Sequence, residues 1–125
     1  MQKDYLYYLN LFIQNVQLAE LTDYTSKNSV RVRNQAVDQY RKAAYTISRE
    51  FPEKTRDFAK LLEHDDPNIR ICCAVCLVEL MQTDSMTRKR AIQLIKTEIH
   101  NGNATPVVGW EIWLKRHDKD GLQIE

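Results

Sequence analysis

Residues 58–80, FAKLLEHDDPNIRICCAVCLVEL, constrain the fold more than any other stretch of the chain. The stretch opens with apolar side chains three and four positions apart, which a helix places on one face: Phe58, Leu61 and Leu62. Asp66 then suits the N-cap of a second helix, and Pro67 suits its first turn, where a missing N–H costs nothing. Because the connection is so short, we predict two helices that pack nearly antiparallel.

The residues after this turn form a second apolar stripe at helical spacing: Ile69, Cys73, Cys76, Leu77 and Leu80. The leucine pair, the turn Asp66-Pro67-x-Ile69-Arg70 and the following Cys73-Ala74-x-x-Leu77 resemble the HEAT repeat pattern. Cys73 stands where that pattern usually has an alanine. The resemblance implies a helical repeat over residues 54–81, and it implies that Arg70 pairs with the turn aspartate of a neighbouring repeat.

Two helices are predicted before this central repeat. The first runs from Lys3 to about Leu21 and has an apolar stripe of Leu6, Leu9, Phe12, Ile13 and Val16. The second follows a turn through Thr22 to Asn28, ends at Pro52, and carries Val37, Tyr40, Ala44, Ile47 and Phe51. Three tyrosines surround the start of the first helix, and we expect two of them to pack rather than form a contact surface: Tyr5, Tyr7 and Tyr8.

Two further helices are predicted after the central repeat. One runs from about Thr87 to His100 and stops at Asn101-Gly102-Asn103, because glycine and asparagine accept the left-handed conformation that ends helices. Pro106 opens the last helix, whose apolar face is Val107, Trp110, Trp113 and Leu114. The two tryptophans either close the core or form an interface, in which case the chain is a homodimer rather than a monomer. A polar tail is expected to fray from about residue 118.

The length of 125 residues suits a single domain, 1–125, of the all-α class: a HEAT-like α-solenoid fragment of about three antiparallel helix pairs. Three glycines and three prolines leave little room for a β-rich fold. No apolar run approaches the roughly 20 residues of a membrane span, and the N-terminus lacks the features of a secretory signal. Three cysteines, all between positions 72 and 76, fit a reducing compartment, so we expect a cytoplasmic protein without membrane contact.

The whole chain also resembles a bacterial domain-of-unknown-function family of short HEAT-like proteins. This resemblance depends on the central repeat, on the asparagine and apolar spacing from Asn34 to Ile47, and on Gly-Trp-x-x-Trp-Leu at Gly109 to Leu114. It implies a fold and almost no activity. Small bacterial proteins of this kind include immunity proteins that bind and neutralise a toxin, so the resemblance implies a protein partner.

The candidate binding residues are basic. The second helix has six cations against one acid between Lys27 and Arg49, and the fifth helix opens with a basic run. The predicted partner-binding set is Arg31, Arg33, Arg41, Lys42, Arg49, Arg88 and Lys89. An acidic protein would suit these charges. The alternative is a nucleic-acid-binding HEAT-like module, which the net charge of only +1 disfavours because dedicated nucleic-acid binders tend to be strongly basic.

No motif predicts catalysis, a metal site or a cofactor. Cys73 and Cys76 form a C-x-x-C pair, but a structural zinc site needs four converging ligands, and the three histidines are scattered. The HEAT resemblance instead implies that both thiols are buried, where cysteine acts as a small hydrophobe. Cys72 is expected to be the more accessible thiol. Phosphate-binding, dinucleotide-binding and zinc-protease motifs are all missing, so we predict a protein that is not an enzyme.

Overall fold

Side-chain caps hold the starts of four helices in the described part of this chain. The computed structural model describes residues 3–118, which contain six α-helices and no strand. The helices are α1 (Tyr5–Glu20), α2 (Lys27–Glu50), α3 (Thr55–Phe58), α4 (Pro67–Glu79), α5 (Ser85–His100) and α6 (Val107–His117). The predicted all-α class is therefore confirmed for these residues. Of the predicted tail, residues 119–125 lie outside the described part.

The predicted turn at Asp66-Pro67 is confirmed. The Asp66 carboxylate accepts a hydrogen bond from the backbone N–H of Asn68 at 2.9 Å, and Pro67 is the first residue of α4. Asp84 caps α5 in the same way through the N–H of Thr87, at 2.7 Å. The predicted stop after α5 is also confirmed, since Gly102 has a φ of 82°.

One part of the central repeat departs from the predicted regular helix. Residues 52–63 form a 3₁₀ turn (Pro52–Lys54), the single-turn α3, and a second 3₁₀ segment (Ala59–Glu63). Phe58, Ala59 and Leu62 are buried along it. The 3₁₀ geometry brings residues three apart into line, which suits the spacing of Ala59 and Leu62.

Helix α4 is the centre of the molecule. It packs against α5, against the 3₁₀ segment before it and against the pair formed by α1 and α2. The predicted inward stripe is buried at Ile69, Cys73, Cys76 and Leu77, and Leu80 packs partly buried against the core. Ile71 and Ala74 are buried as well, on other sides of the helix. A helix that is apolar nearly all round belongs in the interior, so α4 contributes to one continuous hydrophobic core.

The stripe predicted for α1 is partly wrong. Leu6 is 59% exposed, and the buried residues are Tyr5, Phe12 and Val16. Tyr5 takes the inward position because its hydroxyl donates to the Asp57 carboxylate at 2.6 Å, which satisfies its polar atom. Tyr8 also packs against the core while Tyr7 stays exposed, so the expectation that two of the three tyrosines pack is confirmed.

Helix α6 is the least buried helix. It packs on α5 without a fully buried side chain, and Val108 and Ile112 are 68% and 55% exposed. Trp110 and Trp113 are half-buried against the core, and Leu114 joins them. The tryptophans therefore close one end of the core. The arrangement of the helices as three antiparallel solenoid pairs remains a prediction.

Candidate functional site

The seven predicted basic residues are divided among five environments. Arg41 forms an ion pair with Glu79 of α4 at 3.0 Å. The Arg88 guanidinium donates to the backbone carbonyls of Val78 and His117, at 3.5 and 2.6 Å. Arg33 lines a cleft that is described below. Lys89 is exposed on α5.

The remaining three cations share the outer face of α2. Arg31, Lys42 and Arg49 are exposed and lie 11 and 7 positions apart, close to three and two full helical turns. Tyr45, 46% exposed, lies between the last two, and the Arg49 guanidinium is 5.7 Å from the centre of its ring. Asp38 is the acidic side chain on the same line. We call Arg31, Lys42, Tyr45 and Arg49 the α2 basic face.

A cleft of about 470 Å³ lies where α1, α2 and α4 meet the connection between α5 and α6. Its walls are the end of α1 with the turn that follows it, the middle of α2, α4 as far as Val75, and the α5–α6 connection together with Trp110 of α6. The polar side chains at its surface include Glu20, Arg33, Tyr40, Asn68 and Cys72. We call this the α1–α4 cleft.

Tyr40 and Cys72 meet in this cleft. The Cys72 thiol donates to the Tyr40 hydroxyl oxygen at 3.5 Å, and the Tyr40 ring packs edge-on against Phe12. Burial raises the pKa of the Tyr40 hydroxyl, and the nearby Cys72 raises it further. Burial likewise raises the pKa of the Cys72 thiol. Both groups are therefore neutral at pH 7, and Cys72 is not an activated nucleophile.

Glu20 and Asp66 form an acidic pair at the edge of the same cleft. The Asp66 carboxyl group and the Asn68 side chain are both close enough to Glu20 to act on its protonation. Partial burial raises the pKa of Glu20, and the neighbouring Asp66 raises it further, because two carboxylates side by side disfavour double ionisation. Asp66 is at the same time the N-cap of α4, so its position is fixed by the helix start.

The two cysteines of the C-x-x-C pair are buried, as predicted. Cys73 and Cys76 have no exposed surface, and burial raises the pKa of both thiols. Within residues 3–118, no three histidine, cysteine or carboxylate side chains come close enough together to hold a metal ion. These thiols fill space in the core.

Arg70 does not pair as the HEAT resemblance implies. Its Nε donates to the buried Glu98 carboxylate of α5 at 2.7 Å, and its Nη1 donates to the carbonyls of His64 and Asp65. Glu98 also accepts from the Asn103 side chain at 2.7 Å. The arginine therefore ties the turn before α4 to α5 and to the loop that follows it, because its partner is a carboxylate on the next helix rather than a turn aspartate.

The α1–α4 cleft could not be predicted from the sequence, because its walls come from separate helices and from the loops between them. One residue in the sequence did indicate a polar group facing the interior. Arg33 lies four positions before Val37, so it continues the inward stripe of α2 and interrupts an otherwise apolar face. A cation in such a position points toward the interior rather than to bulk water.

Comparison of the chain with protein-family models, with curated proteins and with solved structures found no match. Within residues 3–118, every helix is too short or too polar to cross a bilayer. Any proposal about function therefore depends on the fold, the α2 basic face and the α1–α4 cleft.

Proposed function

We propose that this chain is a non-enzymatic, HEAT-like binding domain that recognises the acidic surface of another protein through the α2 basic face. This proposal is supported by the solvent exposure of three cations on that face and by their lack of ion-pair partners among the described residues. Arg31, Lys42 and Arg49 are exposed, and none forms an ion pair within residues 3–118. Arg31 and Arg49 are 18 positions apart on one helix, about 27 Å at 1.5 Å per residue.

Tyr45 adds a second feature of protein interfaces to this face. Tyrosine and arginine are both enriched among the residues that dominate binding energy, and Tyr45 and Arg49 are already in contact. Asp38 interrupts the positive charge, and the net charge of the whole chain is +1. A continuous phosphate backbone suits such a face less well than a protein surface of mixed charge.

The test is an affinity capture from a lysate of the source organism, with the whole chain as bait, with and without nuclease and at two salt concentrations. A protein retained in stoichiometric amount after nuclease treatment is the expected result. If that partner is a toxin that the chain neutralises, the immunity-type role is supported. Nucleic acid recovered without protein, and lost steeply as salt rises, would support the nucleic-acid-binding alternative.

Matched charge reversals locate the surface. Lys42→Glu with Arg49→Glu should weaken capture of the partner at least about tenfold, since opposite-charge contacts become repulsive. The control is Lys115→Glu with Arg116→Glu, which makes the same charge change at exposed positions of α6. Equal losses from both variants would mean that only overall charge matters. Arg41 is unsuitable for this test because its reversal would also break the ion pair with Glu79.

A further inference from the structure

The α1–α4 cleft has the dimensions of a small-molecule site. Its volume of about 470 Å³ lies within the roughly 300 to 1,000 Å³ that such sites occupy. Side chains of α1, α2 and α4 line it, together with the loop after α5. This cleft is separate from the α2 basic face, because Arg33 lies on the inward side of α2 and Arg31, Lys42 and Arg49 lie on the outward side.

Arg33 supplies a cation that the described residues leave uncompensated. It is half-buried at the cleft, and it has no ion pair and no side-chain hydrogen bond within residues 3–118. It is close enough to Tyr40 and Cys72 for its charge to act on both. A guanidinium with five donors favours a carboxylate, which it can bind through two parallel hydrogen bonds.

Glu20 supplies the opposite charge. It lines the cleft, and Asp66 adds a second carboxyl group beside it. No lysine or arginine within residues 3–118 forms an ion pair with either group. Both acids are also close enough to Cys72 for their charge to act on it, as Arg33 is. The cleft thus presents both signs of charge without joining them.

The wall between these charges is apolar. Val37 of α2 and Ile71 and Val75 of α4 line it, and Trp110 of α6 contributes an aromatic side chain. Apolar walls with a few placed polar groups are characteristic of ligand pockets, in which the polar groups orient the ligand and the walls contribute burial.

We propose that the α1–α4 cleft binds a small zwitterion with an apolar body, of the class of free aliphatic amino acids, whose carboxylate contacts Arg33 and whose ammonium contacts Glu20. Asp66, close to Glu20, adds a second acidic group near the ammonium. The aliphatic side chain lies against Val37, Ile71 and Val75. This site is independent of the partner surface proposed on α2.

The first test uses ligand chemistry on the unmodified protein. Binding of L-leucine, L-isoleucine, L-valine and L-methionine is measured by titration calorimetry and by tryptophan emission, to which Trp110 in the cleft contributes. The best of these is compared with its N-acetyl derivative, which lacks the cation, and with its amide, which lacks the carboxylate. Each derivative should bind roughly tenfold or more weakly, because each loses one charge-assisted hydrogen-bonding group.

The second test uses a matched pair of variants. Arg33→Met should weaken the best amino acid by about tenfold or more, whereas Arg31→Met makes the same change on the outer side of the same helix and should leave its affinity unaltered. Glu20→Gln should weaken the amino acid but leave its N-acetyl derivative unaffected, since that derivative has no ammonium to lose.

Three results would overturn the proposal. The first is that no amino acid in the panel binds with a Kd below about 10 mM. The second is that the N-acetyl and amide derivatives bind as well as the parent amino acid. The third is that Arg33→Met and Arg31→Met weaken binding equally. The comparison of derivatives needs no variant, so it decides the matter even if Arg33→Met does not fold.

Discussion

The ion pair between Arg70 and Glu98 should be the most sensitive polar contact in the molecule. Glu98 is only 4% exposed and Arg70 21%, and the two side chains meet at 2.7 Å. Two unit charges about 4 Å apart attract by about 4 kcal/mol at an effective dielectric constant of 20. Removing one partner of a buried pair typically costs about 3 to 5 kcal/mol, because the other charge is left buried without compensation. We therefore expect Arg70→Met to lower the free energy of unfolding by that amount.

Urea unfolding followed by circular dichroism at pH 7 measures this loss. The control is the double variant Arg70→Met with Glu98→Gln, which removes both charges together. It should be more stable than Arg70→Met alone, because no unpaired carboxylate remains buried. If Arg70→Met costs less than about 1 kcal/mol, or if the two substitutions simply add, the pair is not coupled in the way the geometry requires.

The same pair predicts a pH dependence. The hydrogen bond from Arg70 lowers the pKa of the Glu98 carboxyl below its ordinary value of 4.5, and the amide of Asn103 lowers it further. A carboxyl group with a lowered pKa in the folded state stabilises the protein above its unfolded pKa and loses that contribution as the pH falls through the folded value. The stability difference between the unmodified protein and Arg70→Met should therefore be largest near pH 7 and shrink below about pH 4.5. A difference that stayed constant down to pH 3 would contradict this assignment.

Three further substitutions test the packing and the turns. Leu77→Ala should lower the free energy of unfolding in urea by about 2 to 5 kcal/mol, because Leu77 is buried in α4 and its removal leaves a cavity. A loss under about 1 kcal/mol would refute that role. Gly102→Ala should cost about 1 to 2 kcal/mol, because a φ of 82° strains any side chain even where space is open, whereas helical Gly109→Ala should be neutral or stabilising. Tyr5→Phe should raise the pKa of Asp57 in an NMR titration, since the Tyr5 hydroxyl is the main group that lowers it; an unchanged pKa would mean that this hydrogen bond does not form in solution.

Several helix ends and one buried helix face could be predicted from the sequence, because they depend on local interactions. Asp66, Pro67 and Gly102 act on helix ends through their own backbone or through an N–H two residues away, so no distant partner was needed to predict them. The inward stripe of α4 was equally clear, because it repeats at helical spacing over three turns. In each of these cases the deciding interaction lies within a few residues of the pattern.

Contacts between residues far apart in the sequence determined the features that local patterns did not predict. Which face of α1 is buried depends on whether Tyr5 or Leu6 lies inward. That choice depends on Asp57, which is 52 positions from Tyr5 in the sequence. The irregular path of residues 52–63 was likewise not predicted, and along it Phe58 and Leu62 pack in the core.

The sequence by itself determined the all-α class of residues 3–118, the start of α4 and the end of α5, the central buried helix and the presence of a basic second helix. Only the tertiary structure decided how those basic residues are used. Arg41 meets Glu79 of α4, while Arg33 faces a cleft and Arg31 faces solvent, although all three belong to one helix. The physical reason is that helical spacing sets the direction in which a side chain points, whereas its partner depends on which element the fold brings to that side.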